Sequence, residues 1–350
     1  MSKEAYYNLG EAYFSVSDID YAMEAYESSL KIDSQYLPSI NHLAYCYSHK
    51  GRHKEALEYF QKYLSKNPGA NAYDSYGDGL MTAGILDSAE GTKLEGIKIN
   101  PDLDYIHTGL GYIRLLQNSF EAAEQSFNTY LLLAQKDSSN EKNQSFGLVD
   151  KAYLYTQMGK LQMARDTCIK ALDLWDSDKL NAFNFNAHWL LANIYFQEKD
   201  VDRFNQKLDL FESIIDSYSL NSVNYHQTYK FCMHLRFLKN IQLGDYEAAY
   251  SIADEFINEI GDKVKDWSSP FDRAYFSNEF AKRFAETENF KQSVKFYFEA
   301  IDYNPNYSPA ITGLEALINS RDRKSEKDSL LNLMNANIAE RLVKLGLSSF

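Results

Sequence analysis

The sequence predicts an all-α fold, a solenoid of about eight stacked helix pairs with one more helix capping its C-terminal end. The main observation is an internal repeat of about 34 residues in which a small residue always follows the same two apolar positions. Proline is scarce, at six in 350 residues, as expected for a chain that is mostly helical. The pattern occurs at Tyr6-x2-Leu9-Gly10, Ile40-x2-Leu43-Ala44, Tyr73-x2-Tyr76-Gly77 and His107-x2-Leu110-Gly111.

Each repeat contains two predicted helices, which we call helix A and helix B. In the first repeat, Tyr6, Leu9 and Tyr13 recur at spacings of three and four residues, which places them on one helix face. Helix B carries a second stripe, in which alanine precedes an aromatic residue by four positions. This second motif is found at Ala22-x3-Tyr26, Ala56-x3-Phe60 and Ala123-x3-Phe127.

Turn residues separate the predicted helices. Glycine favours the end of helix A because it adopts the left-handed conformation without a steric cost. Proline ends helix B because it lacks an amide donor and restricts the residue before it. The predicted A–B turns are Gly51-Arg52, Gly84-Ile85, Asn118-Ser119, Gly159-Lys160, Lys199-Asp200, Gly244-Asp245 and Glu288-Asn289, and the predicted stops are Asn67-Pro68, Asn100-Pro101 and Asn304-Pro305.

Small residues share one position on helix A, where we expect the two helices of a pair to approach most closely. A leucine at such a crossing would overpack at a cost of about 1–3 kcal/mol. Glycine inside a helix costs about 1 kcal/mol relative to alanine, so its repeated use at this position indicates a tight approach. The position holds Gly10, Ala44, Gly77, Gly111, Ala152, Ala192 and Ala281.

These motifs resemble the tetratricopeptide repeat, a family that forms right-handed α-solenoids. The resemblance is close over residues 1–136, which hold four units, and looser over residues 137–307, where four divergent and mostly longer units continue the same array. Residues 308–350 are expected to hold a last partial unit and the capping helix. The seventh unit departs most from the pattern, because Phe237 occupies the position of the small residue.

Two polar segments are predicted to be links. Residues 135–144 are polar and lie where the repeat period changes, and residues 320–328 are strongly charged. Beyond the second link, an apolar stripe over residues 329–346 predicts the capping helix, which covers the apolar face that the last repeat would otherwise expose.

Charge and composition limit the classes of partner. The net charge of −13 opposes long-range attraction to nucleic acid or to an anionic membrane, so neither is expected. The three cysteines Cys46, Cys168 and Cys232 are odd in number and far apart, which argues against a disulfide framework. The N-terminus lacks a basic start followed by an apolar run, so no signal peptide is expected and a cytoplasmic location is predicted.

No motif for catalysis or for a cofactor is found, so we expect a protein that is not an enzyme and needs no cofactor. The best metal candidate is the group of His42, Cys46, His49 and His53, whose nitrogen and sulfur atoms are ligands that zinc accepts. The alternative is a polar turn after a helix, with Cys46 packed as a small apolar residue. We favour this alternative, and no metal site is predicted.

The resemblance implies that helices A line a concave groove in which ligands bind. This lining is rich in aromatic and amide side chains: Tyr and Trp offer contact area with a polar tip, and Asn can pair with both groups of a peptide bond. For any single residue, a surface position or packing against the next helix A is the favoured interpretation, and for the groove as a whole binding is favoured. The predicted peptide-binding residues are Tyr7, Glu11, Asn41, Tyr45, Asp74, Asp78, Tyr112, Tyr153, Trp189, Asn193 and Asn278.

The predicted function is therefore a non-catalytic scaffold for protein–protein interaction that binds a peptide or protein segment with basic and with aromatic or apolar anchors. The family's lysine and arginine clamp for a terminal carboxylate is not expected, since Tyr7, Glu11, Asn41 and Asp74 hold those positions. The alternative is the peptide-sensing region of a signalling or transcriptional regulator.

Overall fold

The computed structural model describes residues 1–16, 18–136, 141–174, 184–215, 223–263, 270–320, 324–345 and 347. All regular secondary structure in these residues is α-helical, which confirms the predicted fold class. The first nine helices are α1 (Lys3–Ser15), α2 (Ile19–Ile32), α3 (Leu37–His49), α4 (His53–Lys66), α5 (Ala70–Thr82), α6 (Leu86–Ile99), α7 (Asp104–Leu116), α8 (Phe120–Lys136) and α9 (Glu141–Gln157). The remaining helices are α10 (Leu161–Asp173), α11 (Phe185–Gln197), α12 (Val201–Ile215), α13 (Val223–Leu243), α14 (Tyr246–Lys263), α15 (Pro270–Glu286), α16 (Phe290–Tyr303), α17 (Ser308–Asn319) and α18 (Lys324–Lys344).

The chain divides into two compact units. The first unit combines Met1–Ile99 with Ile257–Phe350, and the second comprises Asn100–Phe256. The first unit contains α1 to α6 and α15 to α18, the second contains α7 to α13, and α14 runs across the division.

Within each unit, odd-numbered A helices pack against the B helices that follow them. In the first unit these pairs are α1 with α2, α3 with α4, α5 with α6 and α15 with α16, and in the second they are α7 with α8, α9 with α10 and α11 with α12. Within a unit, B helices also contact the A helix that follows, as α2 contacts α3 and α8 contacts α9. At the end of the first unit, α18 packs against α16 and α17, which is the position predicted for the capping helix.

The A–B turns have the predicted backbone conformation. Every one of the seven predicted turns contains a residue with positive φ, and three of these residues are not glycine. These turns are stable because the amides that follow the helix bond back to its last carbonyls, as Gly51 N does to Ser48 O and Arg52 N to Tyr47 O. The positive-φ residues are Gly51, Gly84, Asn118, Gly159, Lys199, Gly244 and Glu288.

The predicted proline stops are also found. The helices α4, α6 and α16 end at Lys66, Ile99 and Tyr303, immediately before the three Asn-Pro pairs. Helix lengths change along the chain in the way that the repeat spacing indicates: α1 has 13 residues, whereas α9 has 17 and α13 has 21.

The small position on helix A meets the large side chain of helix B. A Cβ atom added to Gly111 would lie 2.7 Å from Cδ1 and Cζ of the Phe127 ring, and Phe127 is fully buried. Gly10 meets the ring of Tyr26 in the same way. The two helices of a pair therefore approach as closely as the sequence indicates. The gap beside the glycine of helix A is filled by the aromatic residue that follows the alanine of helix B by four positions.

The two predicted links are shorter than expected. Helix α9 begins at Glu141 and helix α18 at Lys324, so the second part of each predicted link is helical. Polar and charged residues such as Glu and Lys are good helix formers, so charge alone does not indicate a link. Residues 137–140 and 321–323, together with Gly346 at the end of the predicted capping helix, lie outside the described residues. Phe237 in α13 is fully buried although it occupies a small-residue position, so that pair is packed differently.

We predict that Gly111→Ala destabilises the protein even though alanine is the better helix former. The added methyl group must displace the buried ring of Phe127, and overpacking costs about 1–3 kcal/mol, which exceeds a propensity gain of about 1 kcal/mol. Gly91→Ala in α6 is the matched control, because no atom lies within 4 Å of its added Cβ. Urea unfolding followed by circular dichroism should show a lower midpoint for Gly111→Ala and a higher one for Gly91→Ala. Equal shifts of the same sign would contradict the close approach.

Candidate functional site

The predicted binding residues lie on A helices in both units. In the first unit, α1, α3, α5 and α15 carry Tyr7, Glu11, Asn41, Tyr45, Asp74, Asp78 and Asn278. In the second unit, α7, α9 and α11 carry Tyr112, Tyr153, Trp189 and Asn193. Five of them are buried, namely Asn41, Asp74, Trp189, Asn193 and Asn278. The other six are half-buried.

Glu11 and His42 connect the first pair to the second. His42 Nδ1 lies 2.7 Å from Glu11 Oε1, and the hydroxyl of Tyr26 also donates to Glu11. Tyr7 packs edge-on against His42, with ring centroids 5.4 Å apart, and its hydroxyl lies 3.4 Å from His42 Nε2. Burial lowers the pKa of His42, although the neighbouring Glu11 carboxylate opposes this shift. The carboxylate of Glu11 is thus partly satisfied by contacts with His42 and Tyr26 within the repeat array.

Tyr45 connects the second pair to the third. Its hydroxyl donates to Asp78 Oδ2 over 3.0 Å, and its ring packs edge-on against Phe60 at 4.9 Å. Tyr45 and Asp78 occupy the same position in successive A helices, one residue after the small position. A hydrogen bond at this position therefore joins α3 to α5.

Asp74 and Asp78 share a buried lysine. Lys93 Nζ donates to Asp74 Oδ1 over 2.5 Å and to Asp78 Oδ1 over 2.7 Å, and it also donates to the backbone carbonyl of Asp74. The exposed fraction of the side chain is 1% for Lys93 and 7% for Asp74, but 29% for Asp78. Burial and the charge of Asp78 together raise the pKa of Asp74 to about 6, although Lys93 acts in the opposite direction.

The sequence analysis did not identify Lys93, but the repeat contains the signal. Lys93 follows Ala89 by four residues, which is the position that holds Tyr26, Phe60 and Phe127 in the other close pairs. Its aliphatic stem fills the gap beside Gly77, where an added Cβ would lie 2.7 Å from Lys93 Cγ. A lysine at an aromatic position, opposite two aspartates one helical turn apart, predicts a buried ion cluster.

A tyrosine–carboxylate bond recurs in the second unit. Tyr112 in α7 donates to Asp150 Oδ1 in α9 over 2.5 Å, and its ring packs edge-on against Phe127. Desolvation raises the pKa of Asp150 to about 7, although the hydrogen bond from Tyr112 opposes this. Tyr153 lies beside Tyr112, with ring centroids 6.4 Å apart. These two half-buried rings form an aromatic surface on adjacent A helices.

Trp189 joins two successive A helices, α11 and α13, further along the second unit. Its indole Nε1 donates to His234 Nδ1 over 3.1 Å, and its ring lies 5.1 Å from that of Phe231. Asn193 donates to the backbone carbonyl of Trp189 over 2.8 Å. Because Trp189 and Asn193 are only 8% and 7% exposed, both contribute mainly to packing within the repeat array.

Two asparagines keep an unused acceptor. Asn41 Oδ1 in α3 and Asn278 Oδ1 in α15 are buried and accept no hydrogen bond from the described residues. A buried acceptor without a partner costs about 1–3 kcal/mol. The two atoms occupy the same position of the repeat, one turn before Tyr45 and Lys282.

Metal and membrane sites were also considered. Among the described residues, no three His, Cys, Asp or Glu side chains are grouped so that they hold a metal ion. Of the four sequence candidates, His42 is paired with Glu11, and Cys46 and His53 are buried. Cys46, Cys168 and Cys232 are buried and form no disulfide bond. None of the described helices is both long and apolar enough to cross a bilayer.

We predict that Lys93→Met destabilises the protein by about 3–5 kcal/mol, because it leaves two carboxylates without their buried cation. Lys98→Met is the matched control: Lys98 lies on the same helix, is 69% exposed and pairs only with Glu95, so its removal should cost about 0.5 kcal/mol or less. Urea unfolding at pH 7 measures both changes. A similar cost for the two substitutions would mean that the cluster contributes nothing beyond a surface ion pair.

We also predict a pH dependence that belongs to Asp74. Its folded-state pKa of about 6 is higher than the value of about 4 in an unfolded chain, so the folded state holds this proton more tightly. Stability from this group is fully present below about pH 4 and is lost as the pH rises through about 6. Relative to Asp74→Asn, the wild-type free energy of unfolding should therefore fall between pH 4 and pH 6.5. A difference that stays constant or rises over this range would contradict the prediction.

The sequence matches models of the tetratricopeptide repeat over residues 3–36 and residues 39–70. No curated protein matches the chain by sequence. Among solved structures, a tetratricopeptide repeat protein from Parabacteroides merdae is similar with 14% identity and a TM-score of 0.50, covering 75% of this chain and 98% of that one.

Two further solved structures are similar to the chain. The APC/C hetero-tetramer Cut9–Hcn1 contains a chain with 12% identity and a TM-score of 0.52, and the similarity covers 88% of this chain and 54% of that one. PilF of Pseudomonas aeruginosa is 20% identical with a TM-score of 0.45, over 64% of this chain and 95% of that one. At these identities the likeness concerns the fold alone. The two matches show that the chain contains tetratricopeptide repeats at residues 3–36 and 39–70, and the helix pairs described above share the fold of the tetratricopeptide repeat protein from Parabacteroides merdae.

Proposed function

We propose that this protein is a non-catalytic interaction scaffold that binds a peptide or protein segment against its A helices. The half-buried residues of that face are tyrosines and carboxylates, in an order set by the repeat. Tyr7, Tyr45, Tyr112 and Tyr153 each keep part of their surface exposed while packing holds the ring in place. Rings that are already ordered bind apolar or aromatic anchors with little further loss of entropy.

The cluster of Asp74, Asp78 and Lys93 carries the proposal. Two carboxylates and one ammonium leave a net charge of −1 when all three are ionised, and only Asp78 is substantially exposed. The excess negative charge therefore acts on a partner through Asp78, next to the hydroxyl of Tyr45. A lysine or arginine side chain of the partner is the group that fits this surface, because charge-assisted hydrogen bonds to carboxylates are among the strongest.

The unused acceptors of Asn41 and Asn278 support a peptide as the ligand. Peptide main chain offers N–H donors at regular intervals. Both oxygens are buried in the unbound chain, so a peptide N–H reaches either of them only if the side chains that cover it move. The overall charge of −13 favours a basic partner over nucleic acid, which this charge repels. The cytoplasmic location remains a prediction from the sequence.

Asp150 is the residue whose titration most resembles that of a catalytic base, since its pKa is about 7. Its carboxylate accepts a hydrogen bond from the hydroxyl of Tyr112 and joins α7 to α9, which accounts for its position without any reaction. We therefore assign Asp150 to the packing of A helices and propose no catalytic role.

We predict that peptides selected from a random library on the folded protein will be enriched in lysine or arginine together with aromatic residues. Asp78→Asn should weaken a selected peptide at least about tenfold, equivalent to about 1.4 kcal/mol, because it removes the exposed negative charge. Tyr45 and Lys93 bond to different oxygens of Asp78. In asparagine the amide oxygen keeps the bond from Lys93 and the amide nitrogen donates to the hydroxyl oxygen of Tyr45, so a hydrogen bond remains at each contact and the fold is preserved. Isothermal titration calorimetry measures the affinity, and circular dichroism verifies folding at the assay temperature.

Glu58→Gln is the matched control for the change of charge. Glu58 is exposed on α4, a B helix, so its carboxylate does not belong to the predicted face. Its substitution should leave the affinity within about twofold. If no sequence class is enriched, or if Glu58→Gln weakens binding as much as Asp78→Asn, the proposed face is wrong.

A further inference from the structure

A turn in the first half of the first unit is bound by a segment from its second half. The side chain of Asn304 donates to the carbonyl of Thr82 over 3.1 Å, and that of Asn306 donates to the carbonyl of Ala83 over 3.0 Å. These pairs are 222 and 223 residues apart in sequence. A repeat array in which units contact only their neighbours does not require such bonds.

The two carbonyls are the ones that the turn itself leaves open. At the end of α5, the amides of Ala83, Gly84 and Ile85 bond to the carbonyls of Gly79, Met81 and Leu80. The next carbonyls along the chain are those of Thr82 and Ala83, which the two asparagines bind. The asparagine side chains therefore complete the C-terminal cap of α5 from a distant part of the chain.

Gly84 makes room for this contact. Its φ is +75°, and an added Cβ would lie 3.0 Å from the backbone oxygen of Asn306, 3.1 Å from its carbonyl carbon and closer still to its Cβ. The equivalent turn glycines Gly159 and Gly244 have no atom within 4 Å of the same point. At residue 84 the absence of a side chain is thus required by the approach of Asn306 as well as by the turn.

Asn304 has two separate roles, which a comparison with Asn100 distinguishes. Both precede proline, and both accept a backbone amide two residues later: Asn304 Oδ1 accepts Asn306 N, and Asn100 Oδ1 accepts Asp102 N. They differ in the side-chain amide group: that of Asn304 also donates to the carbonyl of Thr82, and no such bond from Asn100 is found among the described residues. Asn304 is 1% exposed, so water competes poorly for its bond to Thr82, whereas Asn306 is half-buried.

We propose that Asn304 and Asn306 form a reversible clasp on the α5–α6 turn and that the clasp controls the A-helix face of the first unit. Helix α5 carries Asp74 and Asp78, and helix α15, which packs against α16, carries Asn278. The clasp thus joins the end of α5 to the segment that follows α16, the helix against which α15 packs. Its control of binding rests on the proposed function, whereas the clasp itself does not.

Reversibility follows from the chemistry of the bonds. Both are neutral amide–carbonyl hydrogen bonds, and the loss of one changes an equilibrium by about five- to tenfold. A partner that binds the closed arrangement better than the open one shifts the population by the ratio of its two affinities. The clasp is therefore weak enough for a bound segment to bias it.

The test measures one distance in the full chain without any peptide. Spin labels at Ser88→Cys and Thr312→Cys are placed on exposed positions of α6 and α17, and the three native cysteines are buried. Double electron–electron resonance spectroscopy should give one narrow distribution of distances between the two labels in the parent chain. Asn304→Asp keeps the local turn acceptor but replaces the donor with a repelling oxygen, so the distribution should broaden and lengthen.

Asn100→Asp is the matched control, since it makes the same change in an equivalent turn without a clasp, and it should leave the distribution unchanged. A second pair of variants keeps the test valid if Asn304→Asp misfolds. Gly84→Ala should broaden the distribution because the added methyl group meets Asn306. Gly159→Ala has only the cost of positive φ and should leave the distribution unchanged. An unchanged distribution in both Asn304→Asp and Gly84→Ala overturns the clasp. So does a narrow distance that vanishes when the labelled chain is diluted with unlabelled chain, because the contact is then between two copies.

The selected peptide then tests the regulatory part. If the clasp controls the face, Asn304→Asp should change the peptide affinity at least about fivefold, while Asn100→Asp does not. A broadened distance with unchanged affinity overturns the control but keeps the clasp. Failure of the library selection contradicts the proposed function, and the distance measurement still decides the clasp.

Discussion

The architecture depends on one contact, in which a large side chain of helix B presses against a small residue of helix A. Phe127 against Gly111 and Tyr26 against Gly10 show it directly, because neither glycine has room for a methyl group. The contact sets the distance between the helices of a pair and thereby the spacing at which the next A helix lies. Polar bonds between successive A helices, such as Tyr45 with Asp78 and Tyr112 with Asp150, are possible only at that spacing.

The third pair keeps the geometry and changes the chemistry. Lys93 fills the same gap with its aliphatic stem, while its ammonium group reaches the A-helix face and pairs with Asp74 and Asp78. Buried ion clusters contribute little net stability compared with apolar packing, but removing one partner is costly. We interpret the cluster as a means of holding a carboxylate at the surface of an otherwise aromatic face. The proposed preference for basic partners follows from the single uncompensated charge.

The sequence was sufficient for the features that depend on local chemistry. The turns at Gly51 and Asn118, the stops before the Asn-Pro pairs and the small positions all follow from the backbone freedom of glycine, the missing amide of proline and the size of a side chain. The sequence places Asp74 and Asp78 on helix A, as the structure does, but it does not identify Lys93 as their partner. The periodic pattern treats position 93 as an aromatic position, and only the opposing aspartates indicate otherwise.

Contacts between distant parts of the chain could not be predicted from the sequence pattern. Nothing near Asn304 distinguishes its Asn-Pro turn from that of Asn100, since both form the same local hydrogen bond. What differs is the carbonyl of Thr82, which lies 222 residues away and meets Asn304 only in the folded unit. The helical start of α18 at Lys324 was missed for another reason: charged residues suit both a link and an exposed helix, and local pattern does not separate them.

The most direct test of this account is a double-mutant cycle between Lys93 and Asp74, using Lys93→Met, Asp74→Asn and the double variant in urea unfolding at pH 7. If Lys93 takes the place of an aromatic residue and is held by the aspartates, the two substitutions should be coupled by about 1–3 kcal/mol, with the double variant more stable than the sum of the single changes predicts. Additivity within about 0.5 kcal/mol would contradict it, since the lysine and the aspartate would then not act as one buried cluster.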